Sequence, residues 1–268
     1  MDFMQISDDL GRPVTLHKKP ERIISLVPSV TKTICDLGGE KKLVGVTNFC
    51  KHPENIVKKL PKLGGPKKVK TGEIFKLAPD LIFAVKEENS KDQIEELSNH
   101  FQVFVFDINS IEDALRMIRT IAVILGSETT GNQYVDTIKQ GLRQLETEKP
   151  LKSIYLIWKD PWMAAGNDTF IGSMMKAAGL ENIIEGRYPQ VTNNDLARAE
   201  TILLSSEPYH FKEKERKELE SLFPDKSIIN VDGEIFSWYG TKMKEAPEYF
   251  KQIIPIFNIK QSKRRFNF

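Results

Sequence analysis

Cysteine is scarce: the 268 residues include only Cys35 and Cys50. One pair cannot build a disulfide framework, which excludes a small stapled fold of the secreted kind. An excess of one charge is missing too, because 39 basic side chains face 37 acidic ones and leave a net +2. Nucleic-acid binders carry a basic surplus, so that class of partner is set aside. No run approaches the roughly 20 apolar residues that a membrane span needs. The first ten residues, Met1 to Leu10, carry Asp2, Asp8 and Asp9 but no lysine, arginine or apolar run. They do not read as a secretory signal, and as written the chain is expected in the cytoplasm. Catalytic signatures are also absent. There is no Gly-x-Ser-x-Gly elbow, no phosphate-cradling glycine loop, no His-Glu-x-x-His and no dinucleotide fingerprint. The expectation is a protein that is not an enzyme.

What is present suits a globular chain with a real core: 40% apolar and 28% charged residues. Short apolar runs alternate with helical patterns. Strands are predicted at 23–27, 43–47, 81–85 and 102–107, and again at 153–158, 201–205 and 227–232. Helices are predicted at 30–37, 90–99, 168–178 and 246–253. Strands separated by helices of this length pair in parallel through crossovers. Two segments, 69–83 and 191–203, each read as a short helix running into a buried strand, which suggests one α/β unit used twice.

Between the halves, 111–125 and 129–149 read as helices. In the second, Tyr134, Val135, Ile138, Leu142 and Leu145 fall on one stripe, and Pro150 ends it. A helix of that length spans roughly 30 Å and acts as a strut. The expected division is an N-terminal α/β lobe over 1–127, a bridging helix over 128–149 and a C-terminal α/β lobe over 150–268.

Parallel sheets place ligands beyond the carboxyl ends of their strands. Those ends carry Ser29, then Phe49, Cys50 and His52, then Trp158 and Trp162, then Glu207 and Tyr209, and finally Trp238 and Tyr239. All three tryptophans of the chain are among them, which predicts an aromatic-lined cleft for a flat, bulky ligand. Cys50 and His52 form the one thiol–imidazole pair close in sequence. Two side chains are too few for a closed metal site, so they read as ligands to a metal that the cargo itself carries. Cys35 reads as core, and Cys50 as the accessible thiol.

Asp8–Val14, Pro20–Ser29 and Leu77–Ile82 resemble the substrate-binding proteins of cobalamin and iron–siderophore ABC importers, those with a rigid helical backbone. Phe49–Pro53, Trp158–Met163, Ser206–Tyr209, Asp232–Glu234 and Trp238–Gly240 resemble the branch labelled cobalamin-binding proteins or helical backbone metal receptors. The resemblance implies two Rossmann-like α/β lobes with parallel sheets, bridged by one long rigid helix and holding the ligand in a shallow cleft between them. It implies transport as the role and an importer permease as partner, met by one carboxylate per lobe. Gly72 and Asn194 stand at the matching positions here, so Glu73 and Asp195 are the docking candidates. Relatives in this family are periplasmic or lipid-anchored, unlike the cytoplasmic placement read above.

The resulting expectation is a monomeric receptor with no intrinsic cofactor, whose ligand is a metal-containing macrocycle or chelate. Cobalamin is favoured over an iron chelate such as a ferric siderophore or haem, because no arginine cluster stands at the strand ends to neutralise an anionic ligand. The rival expectation is a cytoplasmic tetrapyrrole-handling enzyme or chelatase-like insertase of similar architecture.

Overall fold

Leu81–Val85 is apolar at every position and buried at every position, as a strand covered on both faces must be. In the computed structural model, which describes residues 4–145 and 150–265, it is an inner strand of a four-stranded parallel sheet. The chain divides into two compact units. One comprises the residues through Ile108, with Glu112–Asp136 and Tyr239–Lys242; the other comprises Asn109–Ile111, Thr137–Trp238 and the chain from Met243 onward.

The N-terminal unit's first described elements form a hairpin, β1 (Met4–Ser7) and β2 (Pro13–Leu16), neither of them among the strands predicted from sequence. Its turn is built by Asp8, whose Oδ1 accepts from the Leu10 and Arg12 amides at 3.0 and 2.8 Å, with Gly11 in the left-handed region. There follow β3 (Ile23–Ser25), α1 (Pro28–Asp36), β4 (Leu43–Val46), the single turn α2 (Glu54–Val57) and the short pair β5 (Gly64–Gly65) and β6 (Lys68–Val69). Next come α3 (Thr71–Leu77), β7 (Leu81–Val85), α4 (Lys91–Ser98), β8 (Val103–Phe106), α5 (Ile111–Leu125) and α6 (Glu128–Arg143). The sheet order is β4-β3-β7-β8, parallel throughout. Pro28 starts α1 at a position whose missing N–H costs nothing, and Gly38 beyond its end takes φ +82°. Ile24, Leu63, Ile74, Ile82 and Val105 fill one face of the sheet.

The expected strut over 128–149 is helical from Glu128 to Arg143, and residues 146–149 lie outside the described residues. The division between units passes within α6, after Asp136, and not at its start.

The C-terminal unit contains β9 (Leu151–Trp158), β10 (Met163–Ala165), α7 (Phe170–Ala177), β11 (Leu180–Asn182), α8 (Asn193–Arg198) and β12 (Thr201–Ser205). After these come α9 (Glu213–Leu222), β13 (Ser227–Val231), α10 (Gly233–Ser237) and α11 (Ala246–Arg265). The order is β10-β9-β12-β13, with β11 also paired to β9 and β10 the antiparallel member. The pair α8–β12 occupies the place in this sheet that α3–β7 occupies in the other, as the repeated sequence pattern implies. Ile154, Leu156, Leu196, Ile202, Leu204 and Leu219 form the core on one face. On the other, Tyr155 is fully buried against Phe236, its hydroxyl 2.9 Å from Ser205 Oγ. Burial pushes that phenol far up its titration range.

Candidate functional site

The carboxyl ends of the parallel strands β9, β12 and β13 lead into five of the expected residues, Trp158, Trp162, Glu207, Tyr209 and Trp238, and the segments that follow decide how each is presented. After β9 the chain turns through Asp160, at φ +60°, and the cis Asp160–Pro161 bond into β10. Trp158 is left 44% exposed, its ring edge-on to Tyr209 with centroids 5.5 Å apart. Tyr209 in turn packs at 4.7 Å on Phe211.

Trp162 behaves differently. It stacks on Phe211 at 6.0 Å, packs against the apolar core and carries Lys159 Nζ over its ring, 5.1 Å from the centroid. Lys159 is itself held by an ion pair with Glu218. Trp162 is thus the more engaged of the two rings, partly buried against its own protein, and Trp158 is the one with the larger open surface.

Glu207 follows β12 and reaches across to the end of α10. Its Oε1 accepts two hydrogen bonds, from Ser237 Oγ at 2.6 Å and Trp238 Nε1 at 3.1 Å. That single oxygen fixes the indole of Trp238, and Oε2 has no protein donor among the described residues. Glycine is required opposite: a β-carbon on Gly233 would stand 2.6 Å from both Glu207 Cγ and Ser205 Oγ. Burial raises the Glu207 carboxyl above the ordinary range, Glu234 and Asp232 push the same way, and the Ser237 and Trp238 donors oppose them.

A carboxyl whose pKa is higher in the folded chain holds its proton more tightly there. Stability from this group is thus fully present below its unfolded value, about 4.3, and declines as pH rises through the folded value. Glu207→Gln keeps the acceptor oxygen and removes the charge. Its unfolding midpoint should exceed the wild type's at pH 7, and the difference should close near pH 4. Thermal melts at the two pH values check this.

The N-terminal unit does not present its expected residues as a group. Phe49 is 59% exposed and His52 is exposed, but Cys50 is only 2% exposed. Its sulfur lies 3.1 Å from Thr31 Oγ1 and 3.2 Å from Thr47 Oγ1, inside a buried hydroxyl cluster that includes Ser25. The prediction of an accessible Cys50 thiol is corrected on this geometry: its sulfur faces Thr31 and Thr47 and not a cargo metal, while His52 stands exposed. No group of three metal-ligating side chains forms among the described residues. Cys35, read as core, is the partly exposed cysteine, and burial with the neighbouring Asp36 pushes its thiol up to about 12. Ser29 is buried in the first turn of α1, and Tyr239 belongs to this unit with its ring almost fully covered.

The two docking candidates also differ. Glu73 is exposed on α3 and pairs with Lys76 at 2.8 Å, whose hydrogen bond holds its carboxyl below the usual range. Asp195 closes a capping box on α8: its Oδ2 accepts from the Thr192 amide at 2.8 Å and hydroxyl at 2.7 Å. Nearby, Ile183, Ile184, Pro189, Val191, Asp195 and Arg198 line a concavity of about 370 Å³ that no sequence signal marks.

Residues 23–206 match the family model described as periplasmic binding protein. The chain belongs to that family. Among curated relatives of this binding protein is an uncharacterised ABC transporter substrate-binding lipoprotein of Bacillus subtilis. It is 30% identical over 189 residues, covering 66% of this chain and 60% of the lipoprotein. A cobalamin-binding protein of Halobacterium salinarum is 27% identical over 215 residues, covering 75% of this chain and 56% of its own length. The chain thus spans about three fifths of these relatives. Among solved structures, the periplasmic vitamin B12 binding protein of Vibrio cholerae superposes with a TM-score of 0.76 at 19% identity. That match covers 90% of this chain and 98% of the other. A periplasmic heme binding protein of Pseudomonas aeruginosa gives 0.74 at 19% identity, with coverages of 89% and 92%.

At these identities the structures establish the fold: a mixed α/β protein of the two-lobed binding-protein type. They and the lipoprotein overturn the cytoplasmic reading of the opening residues. These relatives are named as periplasmic or lipid-anchored, which points outside the cytoplasm. Asp8 and Asp9 carry no weight against this, since they follow β1 directly and belong to the turn of the opening hairpin.

Proposed function

We propose that this binding protein captures a metal-containing macrocycle for an ABC importer, with a corrinoid favoured over haem or a ferric siderophore, and that it does so as a receptor and not an enzyme. The observation that carries the ligand class is Trp158: a large apolar ring, braced edge-on by Tyr209 and left open at the carboxyl end of a parallel sheet. A flat macrocycle is the kind of ligand that such a surface can cover. The cobalamin-binding and vitamin B12-binding relatives support the same choice. The metal belongs to the cargo, and the residues around Trp158 and Glu207 would hold its organic periphery. On this reading Glu73 remains the better placed of the two carboxylates for an importer's arginine. Asp195 would first have to leave the cap of its own helix.

Parallel titrations with cyanocobalamin, haemin and ferrioxamine B, read by tryptophan emission and ligand absorbance, test the reading. Cyanocobalamin should saturate at one equivalent and quench a large share of the emission. Tighter binding of haemin or ferrioxamine B would reverse the preference. Turnover of any of the three would replace the receptor by an enzyme.

A further inference from the structure

Glu207 is held in a costly position for a carboxylate. It is half-buried at the sheet end, its charge is opposed by burial and by Glu234 and Asp232, and no cation pairs with it among the described residues. A glutamine there could accept from Ser237 and Trp238 equally well. The charge therefore does not serve the clamp, and charged groups kept against stability mark functional positions. The clamp also orients the group: with Oε1 occupied by two donors, the open Oε2 is left to receive a donor from outside the protein. The neighbouring side chains, Asp232 and Glu234, add negative charge, and the nearest lysine of the β9–β10 turn, Lys159, is already committed to Glu218.

Resting on the macrocycle reading above, we propose that Glu207 is a specificity-determining residue: its open oxygen accepts a hydrogen bond from an N–H on the ligand's rim, so the site takes a macrocycle bearing carboxamide arms and rejects one bearing carboxylate arms. A carboxamide donates to Oε2. A rim carboxylate has no proton to donate at neutral pH and meets like charge at a site with low solvent screening. Haem, with its two propionates, falls on the rejected side, as does a corrin whose side chains are free acids.

The test compares two probes with one ring: dicyanocobyrinic acid heptaamide and dicyanocobyrinic acid, which differ only in amide against carboxylate arms. Affinities of both for the wild-type chain, Glu207→Gln, Glu207→Asp and Trp158→Ala are read by absorbance titration. The wild type should prefer the heptaamide by about tenfold or more, the scale of one charge-assisted hydrogen bond. Glu207→Gln, which presents an N–H in place of the oxygen, should bring the two affinities to within about threefold. Glu207→Asp, which keeps the charge, should retain the wild-type order of preference. An unchanged preference in a folded Glu207→Gln would overturn the assignment to Glu207, with heptaamide binding weakened by Trp158→Ala still supporting the macrocycle site. If neither corrinoid binds the wild type, or Trp158→Ala binds as the wild type does, the site reading itself falls and this inference with it.

Discussion

Alanine at position 158 should weaken corrinoid binding by roughly five- to 150-fold, the equivalent of ~1–3 kcal/mol of lost ring contact, while leaving thermal stability within about 1 °C. The reason is the geometry of one ring. Trp158 is 44% exposed and meets Tyr209 by an edge, outside the apolar core, so the folded state has less to lose there than at Trp162. Trp162→Ala should give the opposite pattern. That ring stacks on Phe211, carries Lys159 and packs on the core. Truncating a fully buried tryptophan costs about 3–5 kcal/mol, and a partly buried one should cost ~2–3. For a chain of this size that lowers the melting midpoint by roughly 4–12 °C. Affinity measured well below that midpoint should change by less than about threefold. Paired melts and titrations of the two variants check both halves, and equal losses of affinity would mean that Trp162 also reaches the ligand.

Gly166→Ala should cost about 3 kcal/mol or more, the largest stability loss expected of any single methyl group in the C-terminal unit. A β-carbon there would overlap the backbone carbonyl oxygen of Gly186, and backbone cannot swing aside as a side chain can. The two segments are also tied together, by Gly166 N to Arg187 O at 2.7 Å and Asn167 N to Ile184 O at 2.8 Å. Parting them breaks those bonds beside the buried Gly166 and Ile184. Gly186 is the control. Its β-carbon would meet nothing, but its φ of +78° lies in the left-handed region, so Gly186→Ala should cost only about 1 kcal/mol of backbone strain. Denaturant unfolding of the two variants gives the comparison; similar losses would show that the loop relaxes around position 166.

Strands β7 and β12 could be placed to the residue from sequence, because buried-on-both-faces strands are continuous apolar runs. Helix α9 could not. Its sequence is charged nearly throughout, and the turn is held by one buried leucine, Leu219, and by Glu215 reaching back to the Lys212 amide. The ends of the strands were legible as the place for a site, yet how each side chain is presented there was not. Cys50 is buried by Thr31 and Thr47, of which one is 19 residues away, and nothing in Cys-x-His says which way the thiol turns. Trp158 and Trp162 look alike in sequence and part company only because Phe211 and Lys159 arrive to cover one of them. The role of Ser237 in holding Glu207 left no sequence signal, since a serine five residues past Asp232 has no pattern to announce it.

Hydrogen exchange of the full chain with and without saturating cyanocobalamin tests most directly that the ligand sits at the carboxyl end of the C-terminal sheet. The account predicts slowed exchange in the segments around 158–162, 206–211 and 232–238, with 183–198 unchanged. Protection confined to 183–198, where the concavity beside α8 lies, or no protection at any of the three strand-end segments, would contradict it.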